Sequence, residues 1–347
     1  MPKTHKNLYV KLLSFESIHD AFEKAKRNKR YRQYVLKFES DLEANLFEII
    51  ANLESGVYKT SGYSEFYVFE PKRRTVAKLV NFRDRVVHHA ICAVIEPIFE
   101  RLFIHDSYAC RKGKGTHAGA ARAEQMMRKV RREHGVVYAL KCDIRKYFDS
   151  IDHDTLKRIL SRNISDARMM SLLSGIIDSY GVDGKGLPLG NLTSQLFANI
   201  YLNKLDNYVK SDLKENLYVR YMDDFVIFHH DKAHLGKLRK NIGAWVSKEL
   251  GLCLNGKTAI FPIASKNGRA LDFLGYKILP NSRKLRKNSI VRLKKKISVL
   301  HEKYSAGTID FTAVRLAMAS NIAHANKANS NGILSKLLSK PFVRSSA

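Results

Sequence analysis

The composition of this chain limits what it can be. Its 347 residues, 45% of them hydrophobic, are enough for a large core divided into subdomains and exclude a disordered polypeptide. A formal charge of +28 favours a polyanionic partner such as nucleic acid, because each phosphate neutralised by Lys or Arg releases counterions. The four cysteines are scattered without a C-x-x-C pair, which argues against a zinc site or a disulfide framework and fits a cytoplasmic protein.

Neither a membrane span nor a signal peptide is predicted. The best apolar run, residues 90–99, is broken by Glu96 and Pro97 and falls short of the about 20 residues that a spanning helix needs. Residues 1–8 are basic but lack the apolar core of a signal peptide. An anionic membrane surface is therefore the weaker explanation of the charge.

The first third of the chain is predicted to form helices, then strands, then a helix. Residues 1–56 have apolar positions at helical spacing, and Gly56 ends the last of these helices. The basic run 24–37 has two interpretations of equal weight: a solvated helix face, or a face that contacts RNA or a partner. Residues 58–82 predict strands with a turn, residues 83–103 a largely buried helix, and residues 108–121 a glycine-containing loop before the next helix.

An acidic residue directly follows a short apolar strand near the middle of the chain. Residues 136–142 predict the strand, and Asp143 comes next. Asp152 is a good N-cap for a helix that begins near His153.

A second apolar segment carries two adjacent carboxylates. Leu217–Val219 and Phe225–Phe228 flank Tyr221-Met222-Asp223-Asp224, a pattern that predicts a hairpin with Asp223 and Asp224 at its tip. By itself such a pair is more often a solvated turn, because Asp is a common turn former. The other interpretation is a divalent-metal site, because paired oxygen ligands suit Mg²⁺ and its phosphate-bound substrates.

The two acidic segments together favour the metal site. We expect Asp143 and Asp223 to lie on neighbouring strands of one sheet. Two metal ions about 3.5–4 Å apart need such convergent carboxylates to activate a hydroxyl and to stabilise the leaving oxygens. The chemistry that this predicts is nucleotidyl transfer.

The second half of the chain is predicted to be mainly helical. Residues 155–180 predict helix, residues 181–186 a glycine-rich turn, and residues 187–203 a loop that leads into a helix. Residues 233–250 predict an amphipathic helix ended by Gly251, and residues 252–258 a strand. Residues 283–296 predict a very basic helix with an apolar stripe, residues 313–338 further helices, and the tail from residue 340 is expected to fray.

Several ordered motifs resemble those of reverse transcriptases. They are D-I-R-K-Y-F-D-S-I-D-H from Asp143, L-P-L-G-N-L-T-S-Q from Leu187, Y-M-D-D from Tyr221 and L-D-F-L-G-Y from Leu271. The resemblance extends upstream to F-E-P-K-R-R from Phe69, R-D-R-V-V-H-H-A from Arg83 and D-S-Y-A-C-R-K-G-K-G-T-H-A from Asp106. Within the family, Leu189-Gly190 with Ser194-Gln195 is similar to the reverse transcriptases of diversity-generating retroelements. Retroviral, retron and group II intron enzymes usually carry Gln-Gly and Ser-Pro at these places.

The resemblance implies an α+β fold, namely a right-hand polymerase with fingers, palm and helical thumb. We expect an N-terminal helical extension at residues 1–57, fingers at 58–135, a palm at 136–280 and the thumb at 281–347. The palm is expected to be an antiparallel sheet packed on helices, with a helical insertion around 155–186. Because the chain ends after the thumb, no RNase H, nuclease or integrase domain is expected.

The resemblance also implies which residues form the active site. Asp143 and Asp223 are the expected principal metal ligands, with Asp224 and the backbone of Ile144 in support, for two Mg²⁺ ions or Mn²⁺ in their place. The triphosphate needs cations besides the metals, which a basic residue of the fingers supplies. The bases favoured for this contact are Lys72 and Arg74.

The nascent base pair and its sugar have expected contacts of their own. Phe148 is expected to lie under the sugar and to exclude a 2′-hydroxyl; without the motif it would be taken for a core residue. Leu189 and Gly190 are expected beneath the nascent pair, and Leu189 lacks the hydrogen-bonding group of the relatives' Gln, so discrimination should relax. The resemblance implies misincorporation opposite template adenines. Lys257 is expected either to protonate the departing pyrophosphate or to be solvated.

A further set of residues is expected to contact template or primer. By resemblance these are Arg111, Lys112, Lys114, Gln195, Met222, Gly275, Arg292, Lys294 and Lys295. Gly275 belongs to an expected primer-gripping hairpin at residues 271–276. The last three belong to the basic segment 283–296, which is expected to lay one helix face on a duplex backbone, with contacts that position rather than specify.

The predicted function is error-prone RNA-directed DNA synthesis from the template-repeat RNA of a diversity-generating retroelement in a bacterial host or phage. The expected partners are template RNA, the cDNA/RNA duplex, dNTPs and a small basic accessory protein that assembles as a ring. A retron-, group II intron- or phage-defence-type reverse transcriptase is the alternative within the same class, and faithful copying would favour it. A non-catalytic, maturase-like RNA-binding scaffold is the alternative from another class, and intact Asp143, Asp223 and Asp224 argue against it.

Overall fold

The computed structural model of the protein describes residues 4–69, 73–264 and 268–344 and divides into two compact units that alternate along the chain. Unit 1 comprises Met1–Arg111, Asp143–Lys214 and Lys240–Lys257, and unit 2 comprises Lys112–Cys142, Glu215–Arg239 and Thr258–Ala347. Among the described residues, no helix combines the length and apolar character that crossing a bilayer requires.

Helices make up most of the chain. Numbered along the sequence, they are α1 Leu8–Leu12, α2 Phe15–Lys26, α3 Gln33–Glu39, α4 Leu42–Glu54, α5 Phe82–Glu100, α6 Thr116–His134, α7 Tyr147–Ser150, α8 His153–Ser161, α9 Ala167–Asp178, α10 Leu192–Asn207, α11 Lys232–Leu250, α12 Lys287–Ser305, α13 Phe311–Asn326 and α14 Asn331–Leu338. The strands are β1 Tyr63–Val68, β2 Arg74–Leu79, β3 Tyr138–Asp143, β4 Tyr218–Tyr221, β5 Asp224–His229, β6 Ala259–Pro262, β7 Leu271–Phe273, β8 Tyr276–Leu279 and β9 Ser282–Leu285. A π-helical segment, Tyr208–Asp212, extends α10.

The core of unit 1 is assembled around α5. This helix buries residues on most of its circumference, including Val86, Ala90, Ile91 and Ile95, so it is packed by several neighbours rather than along one stripe. Those neighbours include α2 and α10. The expected buried helix at residues 83–103 is therefore confirmed, with Pro97 tolerated inside it near its C-terminal end.

Side-chain caps set the start of two further helices in unit 1. Asp152 caps α8, and its Oδ1 accepts a hydrogen bond from the backbone nitrogen of Thr155 at 2.8 Å, as predicted. Asp166 caps α9 through the backbone nitrogen of Met169 at 3.1 Å. Residues 155–180, predicted as helix throughout, are thus two helices, because Asp166 starts a new one.

The antiparallel hairpin of β1 and β2 confirms the predicted strands of residues 58–82. Tyr63 lies opposite Leu79, and Val68 lies opposite Arg74. Strand β2 also contacts the loop before α10, because the backbone nitrogen of Ala77 donates to the carbonyl oxygen of Leu189 at 3.0 Å.

Unit 2 contains the main sheet, whose strand order is β4-β5-β3-β6. Strands β4 and β5 pair antiparallel with Tyr218 opposite Ile227, and β3 and β6 pair antiparallel with Tyr138 opposite Pro262. Helix α6 packs against β4 and β5 and buries small and apolar residues such as Ala123. Only the last residue of β3, Asp143, is assigned to unit 1.

A second antiparallel sheet of unit 2, in the order β7-β8-β9, precedes three C-terminal helices. The predicted hairpin at residues 271–276 is confirmed, with Leu274 and Gly275 as its two-residue loop between Phe273 and Tyr276. Both loop residues have positive φ, 52° and 89°, as a tight hairpin turn with the native twist requires. Helices α12, α13 and α14 pack on one another in sequence.

Two predicted elements were wrong. Residues 252–258 do not form a strand: apart from an isolated bridge between Leu254 and Ile144 they are irregular, and the strand β6 begins at Ala259. The basic helix expected from residue 283 begins only at Lys287, because Arg283–Leu285 pair with β8 as part of β9.

Candidate active site

The Tyr221–Asp224 segment forms the tight hairpin that its sequence predicts. Tyr221 pairs with Asp224, so the connecting loop consists of Met222 and Asp223 alone. Met222 has φ of 55°, the left-handed conformation that two-residue hairpin loops require. Asp224 was expected at the hairpin tip but is the first residue of β5, and Asp223 lies on the loop as expected.

A buried arginine holds this loop. Arg220 is fully buried, and its Nη1 donates to the carbonyl oxygen of Met222 at 3.1 Å. The sequence analysis did not identify Arg220, although a charged residue inside the apolar run before the acidic pair was the signal that could have found it.

Asp143 is positioned by a residue that the sequence analysis missed. The Nδ2 of Asn255 donates to Asp143 Oδ2 at 2.8 Å, and the backbone nitrogen of Asn255 donates to the Asp143 carbonyl oxygen at 2.7 Å. Two contacts from one residue fix both the main chain and the carboxylate of Asp143. The local sequence around Asn255 does not predict this role, because the contact joins segments more than a hundred residues apart.

The backbone carbonyl oxygen of Ile144, the expected additional ligand, does not bond to its bridge partner. Ile144 lies opposite Leu254, and the flanking hydrogen bonds run from Arg145 to Cys253 and from Asn255 to Asp143. In an antiparallel ladder this is the non-hydrogen-bonded kind of pair, so the Ile144 carbonyl oxygen points away from Leu254.

The strands that carry the acids are hydrogen-bonded neighbours, because β5 lies between β4 and β3 in the sheet. Lys141, two residues before the end of β3, forms an ion pair with Asp224, the first residue of β5, at 3.3 Å. The C-terminal end of β3 therefore lies beside the N-terminal end of β5. Lys141 and Asp143 share one face of β3, because side chains alternate along a strand.

The donor set fits a hard divalent cation. Asp143, Asp223 and Asp224 are all half-buried carboxylates at strand ends. Within residues 4–69, 73–264 and 268–344, no three His, Cys, Asp or Glu side chains already converge as a metal cage. Mg²⁺ is usually held by one or two carboxylates together with the phosphates of the substrate.

Several residues expected to contact the nucleotide come together within unit 1. The backbone nitrogen of Leu187 donates to the carbonyl oxygen of Phe148 at 2.9 Å, so Phe148 abuts the loop that carries Leu189 and Gly190. Gly190 has φ of 124°, and a Cβ there would lie 3.0 Å from Val76 Cγ1. Only glycine allows this close approach between the loop and β2.

The same loop forms part of a cavity of about 400 Å³ in unit 1, which Gly190 and Gln195 line together with two histidines. Burial lowers the pKa of His88 to about 4, so this imidazole is neutral at pH 7. Burial also lowers the pKa of His89 to about 4, and the nearby cations Lys29 and Lys24 add to that effect. Both imidazoles are therefore neutral at pH 7, and the positive charge of the cavity lining comes from Lys29, Lys78 and Arg85.

The remaining residues expected at the nucleotide are exposed or undescribed. Lys72 lies outside the described residues. Arg74 is exposed as the first residue of β2. Lys257 is exposed in a turn, where its backbone nitrogen donates to Asn255 Oδ1 at 3.1 Å. Asn255 in turn contacts Asp143.

Among the expected template and primer residues, Arg111 is held inside unit 1. Four of its five guanidinium N–H groups are taken up by Glu100 and by the carbonyl oxygens of Ile104 and Ser107, at 2.7–3.0 Å. Arg111 therefore fastens the loop after α5 to that helix, which corrects its expected role. A phosphate contact stays a prediction for Lys112, which is exposed, and for the half-exposed Lys114.

The expected primer and duplex residues lie in unit 2. Gly275 is at the tip of the β7–β8 hairpin, and Tyr276 beside it stacks on His324 of α13 with ring centroids 4.6 Å apart. Arg292, Lys294 and Lys295 are exposed on α12. Their helix turns its apolar side, which includes Leu293, toward the interior.

Asp272 anchors the β7–β8 hairpin to the main sheet. Its carbonyl oxygen accepts from Lys141 Nζ at 2.7 Å, and its carboxylate pairs with Lys277 and Arg286. Burial raises the pKa of Asp272, but the hydrogen bond from Lys277 and the charges of Arg286, Lys277 and Lys141 outweigh burial and hold that pKa below its ordinary value. Lys141 therefore contacts both the carbonyl oxygen of Asp272 and the carboxylate of Asp224 near the end of β3.

Comparisons with known proteins indicate the family of the chain. The family described as reverse transcriptase (RNA-dependent DNA polymerase) matches residues 69–278. Protein YkfC of Escherichia coli strain K12 is 27% identical over 236 residues, which cover 57% of this chain and 61% of that protein. The group II intron-encoded protein LtrA of Lactococcus lactis subsp. cremoris is 28% identical over 177 residues, which cover 48% of this chain and 28% of that protein. The chain spans less than two thirds of either relative.

Among solved structures, the telomerase of Candida tropicalis in complex with a TWJ fragment of telomeric RNA superposes with a TM-score of 0.52 at 14% identity. The match covers 83% of this chain and 58% of the telomerase chain. At this level of identity the likeness shows the fold alone. It confirms the expected α+β, right-hand polymerase fold.

Proposed function

The chain belongs to the reverse transcriptase (RNA-dependent DNA polymerase) family, and we propose that it copies RNA into DNA by two-metal nucleotidyl transfer. The observation that carries the proposal is the contact between Lys141 and Asp224, which sets the end of β3 beside the start of β5. Because Asp143 follows Lys141 by two residues on the same strand face, the carboxylates of Asp143, Asp223 and Asp224 are suited to share divalent cations.

The chain's own residues prepare this site. Two Mg²⁺ ions, or Mn²⁺, would stabilise the attacking and leaving oxygens of the phosphoryl transfer when bound. Asn255 orients the carboxylate of Asp143, Arg220 fixes the loop that carries Asp223, and Lys141 offsets the charge of Asp224. The carbonyl oxygen of Ile144, which points away from its bridge partner, is a further candidate ligand.

Residues of unit 1 would select the nucleotide. Phe148 adjoins the Leu187–Gly190 loop, where it can exclude a 2′-hydroxyl. Arg74 and Lys72 are the bases favoured for the triphosphate, and Lys257 for protonating the pyrophosphate. Template and primer would meet Lys112, Lys114, Gln195, Met222, Gly275, Arg292, Lys294 and Lys295.

The type of enzyme that we propose is the error-prone reverse transcriptase of a diversity-generating retroelement. Support comes from Leu189, whose apolar side chain stands where relatives carry Gln, and from the Ser194-Gln195 pair that ends the motif. Its substrates would be a template-repeat RNA and dNTPs, with a small basic accessory protein as partner, in the cytoplasm of a bacterial host. Misincorporation opposite template adenine is the corresponding property of the product.

A second candidate, a group II intron-type reverse transcriptase, is favoured by one finding. The group II intron-encoded protein LtrA shares 28% identity with this chain over 177 residues. Sequencing of cDNA made by the purified protein separates the two candidates. Substitutions concentrated at template adenines favour the retroelement enzyme, and uniformly faithful copies favour the intron type.

Primer extension on an RNA template tests the polymerase proposal. We expect Asp223→Asn to lower the rate by about 10²–10³-fold, the usual cost of losing one group that stabilises developing charge. The matched control is Asp154→Asn, because the Asp154 side chain is 97% exposed at the start of α8. Equal rates for wild type and Asp223→Asn, or no extension by the wild type with Mg²⁺ or Mn²⁺, would refute the proposal.

A further inference from the structure

A row of cations lies on α6 at the end of the main sheet remote from the Tyr221–Asp224 loop. Arg122, Arg128, Lys129 and Arg132, together with Gln125 and Met126 of the same helix and Asn216 and Leu217 before β4, line a groove of about 450 Å³. None of these lining residues carries a carboxylate. The groove lies wholly within unit 2.

The position of Leu217 separates this groove from the catalytic loop. Leu217 precedes β4, whose four residues end at Tyr221, and its carbonyl oxygen accepts from the backbone nitrogen of Phe228 at 3.0 Å. At about 3.3 Å per residue, Leu217 is about 13 Å from Tyr221 along the strand. Nucleic acid in the groove would therefore be a different segment from the primer terminus at the loop.

The spacing of the cations indicates an extended anion rather than a small one. Arg122, Gln125, Lys129 and Arg132 follow one helix face at i, i+3, i+7 and i+10. At 1.5 Å per residue, Arg122 and Arg132 are about 15 Å apart along the axis. A row of this length spans several phosphates of a nucleic-acid strand, which repeat at about 3.4 Å per nucleotide in a duplex.

The cations of the row differ in their local contacts. Arg128 pairs with Glu124 at 3.1 Å and donates to the carbonyl oxygen of Pro280, so it has a role within unit 2. A cation in the last turn of a helix is stabilised by the helix dipole, which explains Arg132. Arg122 donates to Gln125 Oε1 at 2.8 Å on the same helix face, and Lys129 lies before the last turn of α6, where the dipole effect has faded.

A stack of histidine rings lies at the same end of the main sheet as the groove, because Leu217 of the groove pairs with Phe228, the residue before His229. His134, two residues after Arg132, stacks on His230 with ring centroids 3.9 Å apart, and His230 stacks on His229 at 4.3 Å. His229 is followed in turn by His234, which is oriented by Glu215 at 2.6 Å. Exposed aromatic and imidazole faces beside a cationic row are the combination on which unpaired RNA bases stack.

We propose that this surface, the α6 groove with the His134–His230 stack, binds a structured RNA segment outside the template–primer duplex. The proposal rests on the proposed function, which makes RNA the polyanion that the protein handles. The cations of α6 would contact the phosphates, Gln125 and Asn216 would donate to phosphate or sugar oxygens, and the histidine stack would receive an unpaired base. The surface would hold the RNA in place without taking part in nucleotide addition.

Two probes separate this surface from the catalytic site. The short probe is an 18-base-pair RNA–DNA primer–template, and the long probe is the same duplex with a 40-nucleotide RNA hairpin added to the template. Binding is measured by fluorescence anisotropy over a range of salt concentrations, and extension of the short probe is measured in parallel. The variant Lys129→Gln/Arg132→Gln removes two exposed cations. The control Lys11→Gln/Lys248→Gln removes two exposed cations of unit 1.

The wild type and the control are expected to bind the long probe more tightly than the short one. The groove variant should lose that advantage, and its salt slope on the long probe should fall by about 1.4–1.8, the contribution of two phosphate contacts. Its extension of the short probe should be unchanged. The proposal is overturned if the hairpin adds no affinity to the wild type, if both variants lose affinity equally, or if polyglutamate of equal charge displaces the hairpin as well as unlabelled hairpin does.

The readouts also keep the two proposals apart. If the wild type fails to extend the short probe, the polymerase proposal is refuted. The binding comparison still tests the proposal for the groove. Loss of short-probe extension in Lys129→Gln/Arg132→Gln would place the groove in the catalytic path and refute a separate RNA site. A second variant, His230→Ala, should lower affinity for a hairpin with an unpaired loop more than for a blunt stem of the same length, and equal losses would refute the stacking role.

Discussion

The Gly190→Ala variant tests whether the loop between Leu187 and α10 must press against β2 for the protein to work. The added Cβ would lie 3.0 Å from Val76 Cγ1 and 3.3 Å from the Ala77 carbonyl oxygen, where 3.4 Å begins ordinary contact. The φ of 124° adds a backbone conformation that alanine avoids, at a cost of about 1–3 kcal/mol. The loop must therefore shift away from β2.

The shift has a calculable cost. It weakens the hydrogen bond from Ala77 to Leu189, a net contribution of about 0.5–1.5 kcal/mol. Together with the backbone strain, the expected loss in the free energy of unfolding is about 2–4 kcal/mol. Because a misplacement of about 1 Å near a reacting centre can cost 10²-fold, we expect kcat/KM for dNTP incorporation to fall by about 10- to 100-fold.

Single-nucleotide primer extension and urea unfolding measure the two effects. The control is Gly236→Ala, because Gly236 lies in α11 with open space around its Cα and no positive φ. That substitution should raise stability by about 0.5–1 kcal/mol and leave kcat/KM unchanged. The double variant Val76→Ala/Gly190→Ala removes the closest contact but not the strained φ, so it should recover only part of both losses.

Two results would show that the reasoning is wrong. Wild-type kcat/KM in Gly190→Ala would mean that the loop does not position the nucleotide. Equal losses in the single and double variants would mean that the contact with Val76 does not set the loop position.

Three further variants test the residues behind the site. Asn255→Asp places a second carboxylate 2.8 Å from that of Asp143, a repulsion of about 6 kcal/mol at an effective dielectric of 20, so the Asp143 carboxylate should be displaced and extension at saturating Mg²⁺ should be slower than in Asn255→Ala; equal rates would contradict this. Arg220→Met should cost about 2–3 kcal/mol and slow extension, because the carbonyl of Met222 loses a charged donor, and unchanged urea midpoints would contradict it. His88, with a pKa lowered to about 4 by burial, takes up its proton on unfolding, so stability should fall by about 3 kcal/mol as pH drops from 6.5 to 4. In His88→Gln this pH slope should be smaller, and an unchanged slope would assign the effect elsewhere.

The local patterns of the sequence determined the elements that carry the candidate site. The apolar strand before Asp143, the N-cap Asp152 and the hairpin around Met222 and Asp223 all follow from nearest-neighbour signals: alternation, capping and a two-residue turn. The ordered motifs then indicated the family. These features depend on residues within a few positions of one another, so the sequence alone is enough to predict them.

Contacts between distant segments were decided only by the tertiary structure. Asn255 reaches Asp143 across 112 positions, and residues 252–258 are irregular because the strand that pairs with β3 begins later, at Ala259. Arg111 looked like a phosphate contact in a basic, glycine-containing loop, yet Glu100 on α5 captures its guanidinium. Which charge meets which depends on how helices and strands pack, and periodicity along the chain carries no information about that pairing.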